Sequence, residues 1–330
     1  MEKKWLIIIP VIILALVSSL TIFKSPQPLA KTITIGAAAD LINSLIWITE
    51  AKQFFADENL NIRLKLYPSG KLALRGLLNK EVDLTTTAET PFVFASFNKK
   101  NLRLFTTLAT ADNEAKILAR TDHGINQPSD LKGKTIATQK SSAVHFFLAR
   151  FLTNNFLKSE DVNIVYMKAV ELPAALIQGK IDAFSMREPF IQQAKDSLGD
   201  KAIELAEPGI YTKTFNLVGY KDFIETDSNN LKNILLALHK TTKFIETNRD
   251  ESIAIIAQKR SMTVPQVSAL WDNFIFDLSL SQSLLTTLEA EARWAITQKF
   301  VTNVEYPNYL ELIYAQSLTV IKPEAIGIIQ

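Results

Sequence analysis

The chain has 330 residues, 47% apolar and 21% charged, with a net charge of +2 and no cysteine. That length can bury one large core or two of ordinary size, and the composition argues against extensive disorder. The lack of cysteine excludes disulfides, thiolate nucleophiles, thiolate-bound zinc and iron–sulfur clusters, the three histidines have no metal-ligand spacing, and no basic block marks a nucleic-acid track.

Lys3 and Lys4 precede an uncharged run from Trp5 to Val17, extended to Phe23. A short basic region before an apolar core is the pattern of an export signal. As a helix, Trp5 to Phe23 would reach about 28 Å, near the hydrocarbon thickness, so a retained anchor fits as well as a cleaved signal. Val17-Ser18-Ser19 is the better cleavage candidate, and lipid anchoring is excluded because it needs a cysteine. Residues 1–30 are read as a signal peptide or N-terminal membrane anchor with linker. The body is expected to be exported, with a tether through residues 5–23 left open.

Thr32 to Gly36 predicts a strand running into the small-residue loop Ala37 to Asp40, and Asn43-Ser44 opens a helix carrying Trp47, Ala51, Phe54 and Phe55 at helical spacing. Asn61 to Leu66 alternates as a half-exposed strand, and Tyr67-Pro68-Ser69-Gly70 breaks it before a helix from Lys71 to Asn79. Asp83 to Thr87 is the next strand, Glu89 to Lys99 a helix, and Leu102 to Ala109 another strand. Gly, Pro, Asn and Asp gather between Arg120 and Asp130, which reads as a boundary.

The plan then repeats. Strands are expected at Thr135 to Thr138, Asn163 to Tyr166 and Ile181 to Phe184, with helices at Ala143 to Phe156 and Glu171 to Gln178. Leu72 to Phe92 and Leu172 to Phe190 read alike, with Asp83 on Asp182, Leu77 on Leu176 and Glu89 on Glu188. Lys31-Thr32-Ile33-Thr34 likewise matches Lys134-Thr135-Ile136-Ala137. Phe215 to Tyr220 is read as a strand returning to the first half. From about Asp227 the chain is expected to be helical, with capping boxes at Thr263 to Gln266 and Ser279 to Gln282 and an apolar stripe of Leu284, Leu285, Leu288 and Ala292.

Alternating strands and helices predict an α/β protein, whose ligands sit beyond the carboxyl ends of the strands. Four such loops carry small and polar residues: Ala37 to Asn43, Thr86 to Thr90, Gln139 to Ser142 and Ser185 to Glu188. Ser141 and Ser142 stand where a helix begins and could hold an anionic group or simply cap the helix. Arg187 could pair with a ligand oxyanion or with an internal acid such as Glu188. Asp83 and Asp182 are read as structural acceptors for backbone N–H groups. Glu89 and Glu188 could form a carboxylate pair, with helix capping the stronger alternative. His145 is read as a packed or capping histidine.

Taken together, the exported N-terminus, ITIG with its small-residue loop, GLLNKEVDLTTTAETP, LKGKTIATQKSSAVHFFL and GKIDAFSMREPF resemble the periplasmic solute-binding proteins of the nitrate/sulfonate/taurine and thiamine-precursor group. The resemblance runs from about Lys31 to the tail Val320 to Ala325. It implies a type II periplasmic binding protein fold: two α/β lobes, each a mixed sheet flanked by helices, with ligand in the interlobe cleft. Lobe 1 would comprise residues 31–119 and 217–330, and lobe 2 residues 120–216. By position, the family's ligand loops fall on Leu41, Ile42, Asn43, Ser69, Gly70, Thr87, Ala88, Glu89, Ser141, Ser142, Arg187 and Glu188. Arg187 departs from the family, since many sulfonate binders look aromatic there.

The implied function is the substrate-binding component of an ABC transporter. It would capture a small anionic or heterocyclic solute, such as a sulfonate, a nitrate-like anion or a thiamine precursor, by hinge closure and deliver it to a permease. The protein would be a periplasmic monomer without cofactor, metal, catalytic residues or nucleic-acid partner. Two alternatives share the fold: a membrane-anchored sensory or partner-binding domain, and an enzyme like the thiamine-pyrimidine synthases. The absent cysteines weigh against the enzyme.

Overall fold

The computed structural model of the protein describes residues 31–302 and 304–329. The predicted signal or anchor therefore lies outside the described residues, among which no helix is long and apolar enough to cross a membrane.

Among the described residues, eleven strands form two mixed sheets: β1 Thr32–Ala38, β2 Asn61–Tyr67, β3 Leu84–Ala88, β4 Leu102–Ala111, β5 Lys116–Arg120, β6 Thr135–Thr138, β7 Asn163–Tyr166, β8 Ala183–Met186, β9 Ala202–Leu205, β10 Lys213–Tyr220 and β11 Ile275–Ser279. The first sheet runs β11-β4-β10-β3-β1-β2 and the second β7-β6-β8-β5-β9. In each, three parallel strands (β2-β1-β3 and β7-β6-β8) come from strand–helix–strand units, and an antiparallel strand closes on the last of them. The chain passes from the first sheet to the second through 112–115 and returns through 206–212.

Both crossings differ from the expected lobe boundaries. β5 hydrogen-bonds to β8 and β9, so residues 116–119 belong to the second sheet, and β10 is wholly in the first, so the boundary at 217 cuts through a strand. The Gly- and Pro-rich stretch 120–130 drew the first boundary too late, because it is a connection within the second sheet. β5, β9 and β11 had no clear strand signal. β11 pairs with β4 inside a region read as helical, at the sheet's edge, where its exposed Ile275 and half-buried Asp277 and Ser279 blur any pattern.

The internal repeat is physical. The Asp83 carboxylate accepts from Thr34 N at 2.7 Å, and Asp182 accepts from Thr135 N at 2.7 Å. Each aspartate's own N–H returns a bond to the same residue's carbonyl, Thr34 and Thr135, at 2.9 Å. Each carboxylate thus fixes the start of one strand against the end of the preceding helix–strand turn. The equivalence shifts the matched strand by two residues from the sequence pairing: Ile35 lies opposite Leu84 as Ile136 lies opposite Ala183. Leu77 and Leu176 are both fully buried.

The first helix is shorter than its pattern. It stops at Ala51, Gln53 turns into the left-handed region, and Phe54 and Phe55 begin a separate turn. Thr263 and Gln266 form the expected capping box. The second box does not form. Ser279 ends β11, Ser281 caps the helix Gln282–Thr297 by accepting from Leu284 N, and the Gln282 side chain accepts from Ile329 N. The stripe of that helix is buried as expected at Leu284, Leu285, Leu288 and Ala292.

Candidate functional site

The strand ends of the two sheets meet at Asp40 and Arg187. Asp40 follows β1 and Arg187 follows β8; the Arg187 guanidinium donates to Asp40 Oδ1 at 2.7 Å. Glu114, on the outgoing crossing, lies 3.7 Å from Arg187 Nε and accepts from Lys213 Nζ at 2.5 Å on β10. All four side chains are nearly buried, so the pairs are screened little by water. Burial alone would raise the Asp40 carboxyl, but Arg187 and then Lys213 overcome it, and with the Gly70 N–H they hold it below the ordinary range. Burial likewise works to lower Arg187, and Asp40 and Glu114 outweigh it to raise its pKa.

Beside this cluster lies a cavity of about 40 Å³ lined by Asp40, Leu41, Asn113, Glu114, Arg187 and Glu188, among others. The Asn113 Oδ1 atom is buried and without a hydrogen-bond partner. Arg187 thus has an internal acid, but it is Asp40 supported by Glu114 rather than Glu188. The Glu188 carboxylate accepts from Gln192 N at 2.9 Å and caps the helix Phe190–Leu198.

Gly70 starts the helix Gly70–Leu78, where Ser69 is the cap and accepts from Leu72 N at 3.4 Å. Its backbone packs so closely that an added Cβ would lie 3.0 Å from Thr87 Cα and 3.1 Å from the Phe215 ring, which accounts for glycine at this position. Ile42 and Asn43 are fully buried; Asn43 Nδ2 donates to Ala38 O at 2.9 Å while its Oδ1 has no partner. Thr87 Oγ1 is likewise buried and unpartnered, and Ala88 is the last buried residue of β3.

Glu89 and Glu188 do not pair. Glu89 is fully buried, accepts from Thr214 N at 2.8 Å and Thr214 Oγ1 at 3.1 Å, and takes a bond from the Tyr211 hydroxyl. Burial pushes its pKa up to about 7, against the opposing pull of its own N–H, Lys213 and Thr214. Its carboxyl neighbour is Glu291, from the helix Gln282–Thr297. Burial and then the charge of Glu89 raise Glu291 well above the carboxylate range. Thr90 Oγ1 donates to Glu291 Oε1 at 2.7 Å, while Oε2 has no partner unless the retained proton bridges to Glu89.

Ser141 and Ser142 stand apart from the cavity. Ser142 Oγ donates back to Gln139 O at 2.6 Å instead of capping the helix Ala143–Asn154. Ser141, at φ 54°, donates its N–H to His145 Nδ1 at 3.3 Å. His145 packs between Tyr166, Trp294 and Phe300; burial, then Lys140 and Lys71, lower it to about 4. It is a packed, neutral ring. Lys71 reaches from the first sheet's side to Lys140 O at 2.8 Å, a second contact across the cleft.

Sequence reasoning named Arg187 but missed Glu114, Lys213, Tyr211 and Glu291 as members of the site. Two of them carried a signal. Lys213 opens the otherwise uncharged strand KTFNLVGY and is 5% exposed. Glu291 falls three residues beyond Leu288 on the apolar stripe and is fully buried.

Two mixed sheets flanked by helices, with strand-end loops meeting in a cleft, define the periplasmic binding protein fold. Residues 44–252 match the family described as NMT1/THI5 like, and the chain belongs to that family. Two relatives, from Escherichia coli (strain K12) and Bacillus subtilis (strain 168), each bear the name "Putative aliphatic sulfonates-binding protein". The first is 25% identical over 63% of this chain and 65% of its own length. The second is 26% identical over 67% and 68% respectively. The aligned region thus spans about two thirds of the length of these relatives. Among solved structures, the alkanesulfonate-binding protein SsuA from Xanthomonas axonopodis pv. citri, bound to MOPS, superposes with a TM-score of 0.74 at 20% identity, covering 88% of this chain and 99% of that one. The desulfurization enzyme DSZB shares the fold with a TM-score of 0.63 at 13% identity, covering 89% and 99%.

Proposed function

We propose that the protein is the substrate-binding component of an ABC importer, capturing a small organic solute, anionic or heterocyclic, between two lobes and handing it to a permease. The supporting observation is the ion pair of Arg187 with Asp40, 2.7 Å long, which joins the strand ends of one sheet to those of the other. A contact of this kind favours the closed arrangement of two lobes, and a ligand bridging both sides would do the same. The lobes correspond to the two sheets, with segments 112–115 and 206–212 as the hinge, rather than to the boundaries at 119 and 217. Of the predicted ligand residues, Leu41, Arg187 and Glu188 line the cavity beside Asp40, and the Gly70 N–H bonds Asp40. The relatives named for sulfonates make that anion class the first to test.

The protein acts by binding and not by catalysis. Glu89, raised to about 7 by burial, is engaged as an anchor by Tyr211 and Thr214. It works outside the cytoplasmic membrane as a monomer, carried there by its N-terminal segment. Isothermal titration with ethanesulfonate, nitrate and an aminopyrimidine, on the wild type and Arg187→Ala, tests this reading. Binding of one of these solutes, weakened at least tenfold by the substitution, is the expected outcome. A wild type that binds none of them, or a variant that binds equally well, would remove its basis.

A further inference from the structure

We propose that Asp40 sets the selectivity of this cleft: its carboxylate is a built-in occupant of the seat that a solute oxyanion would take, so an anionic solute binds by displacing it from Arg187. This inference rests on the solute-capture reading. The geometry has three parts. First, Asp40 makes the contact expected of an acidic ligand, accepting from Arg187 Nη2 at 2.7 Å at the start of the helix Gly70–Leu78. Second, the other acid beside Arg187 is committed elsewhere: Glu114 is 3.7 Å from Arg187 Nε but 2.5 Å from Lys213 Nζ. Removing the Asp40 charge therefore frees one guanidinium edge without undoing the Lys213–Glu114 pair. Third, Asp40 and Arg187 both line the adjoining cavity, so a solute oxyanion that enters it meets the Asp40–Arg187 contact.

A carboxylate and a sulfonate compete for the same donor, the Arg187 Nη2 group that Asp40 Oδ1 now takes. The cost of displacing Asp40 is then subtracted from the affinity of every anion, whereas a neutral solute that leaves the pair intact does not incur it. Asn113 Oδ1, buried and unpartnered in the cavity wall, is an acceptor left for an N–H or O–H of the occupant.

The test compares the full chain with Asp40→Asn, an isosteric change, by titration with ethanesulfonate and its uncharged analogue ethanesulfonamide. Far-ultraviolet circular dichroism confirms that the variant folds. Ethanesulfonate should bind Asp40→Asn at least tenfold more tightly than the wild type, with ethanesulfonamide unchanged or undetected in both. An equal gain for both solutes would mean that the substitution only loosens lobe closure, and it would overturn the inference while leaving solute capture standing. Weaker or unchanged binding of ethanesulfonate to the variant would overturn it too. If neither protein binds either solute, and the wild type binds no other member of the panel, both readings fall.

Discussion

Glu89 makes the pH dependence of stability a sharp test of the site's electrostatics. Its folded pKa is raised to about 7 from an ordinary 4.5, chiefly by burial. The folded state therefore holds a proton that the unfolded chain has already released over that interval, and stability falls as pH rises through it. From pH 5 to pH 8 the difference in proton binding integrates to about 2.5 kcal/mol, taking 1.36 kcal/mol per pKa unit. Glu89→Gln keeps an oxygen for Thr214 N and removes the titration. Urea unfolding of the wild type and Glu89→Gln, followed by circular dichroism at pH 5, 6, 7 and 8, reads the contribution of the buried Glu89–Glu291 pair, since removing the Glu89 charge also relieves Glu291. The wild type should lose about 2 to 3 kcal/mol relative to the variant across the series. Parallel curves, or a wild type that gains on the variant as pH rises, would refute the assignment of a buried, protonatable Glu89.

The repeat predicts that Asp182→Ala, which strips an acceptor from Thr135 N, destabilises by about 1–3 kcal/mol in urea unfolding, and that Asp83→Ala behaves alike through Thr34 N. Gly219→Ala would drive a Cβ to within 2.6 Å of Leu84 Cδ2 and 2.9 Å of Phe105 Cε2 at the centre of the first sheet. A cost of about 1–3 kcal/mol, read as a lowered thermal midpoint, is expected. Thr263→Ala removes the N-cap of the helix Val264–Trp271 and should cost about 1 kcal/mol by the same measurement, whereas Ser279→Ala should cost far less, because the following helix is capped by Ser281.

Much of the scaffold was legible because it is periodic and repeated. Asp83 and Asp182 announced themselves as a pair in sequence and perform one task twice in space. The strands that escaped notice, β5, β9 and β11, are short and gain their regularity from partners distant in the chain, which no local pattern encodes. The candidate site was half legible for the same reason. Arg187 stands in a recognisable loop, but its partner Asp40 is 147 residues away. Glu89 aligns with Glu188 in the repeat, yet the two diverge: the first is enclosed by β10 and the helix Gln282–Thr297, and the second ends a turn on the half-exposed start of a helix. The C-terminal helices, which have no counterpart in the second half, break the symmetry that the sequence suggests.

The Glu114–Lys213 pair carries a consequence for how binding strength can be adjusted. Glu114 stands on the outgoing crossing between the sheets, and Lys213 at the point where the returning one enters β10. In the solute-capture reading, the bond therefore fastens the two spans of chain that would flex as the lobes part. A change in either residue would alter the energy difference between the parted and joined states, and with it the apparent affinity for every solute alike. On that reading the grip on a solute would be adjustable from the hinge, through residues that need never meet the solute.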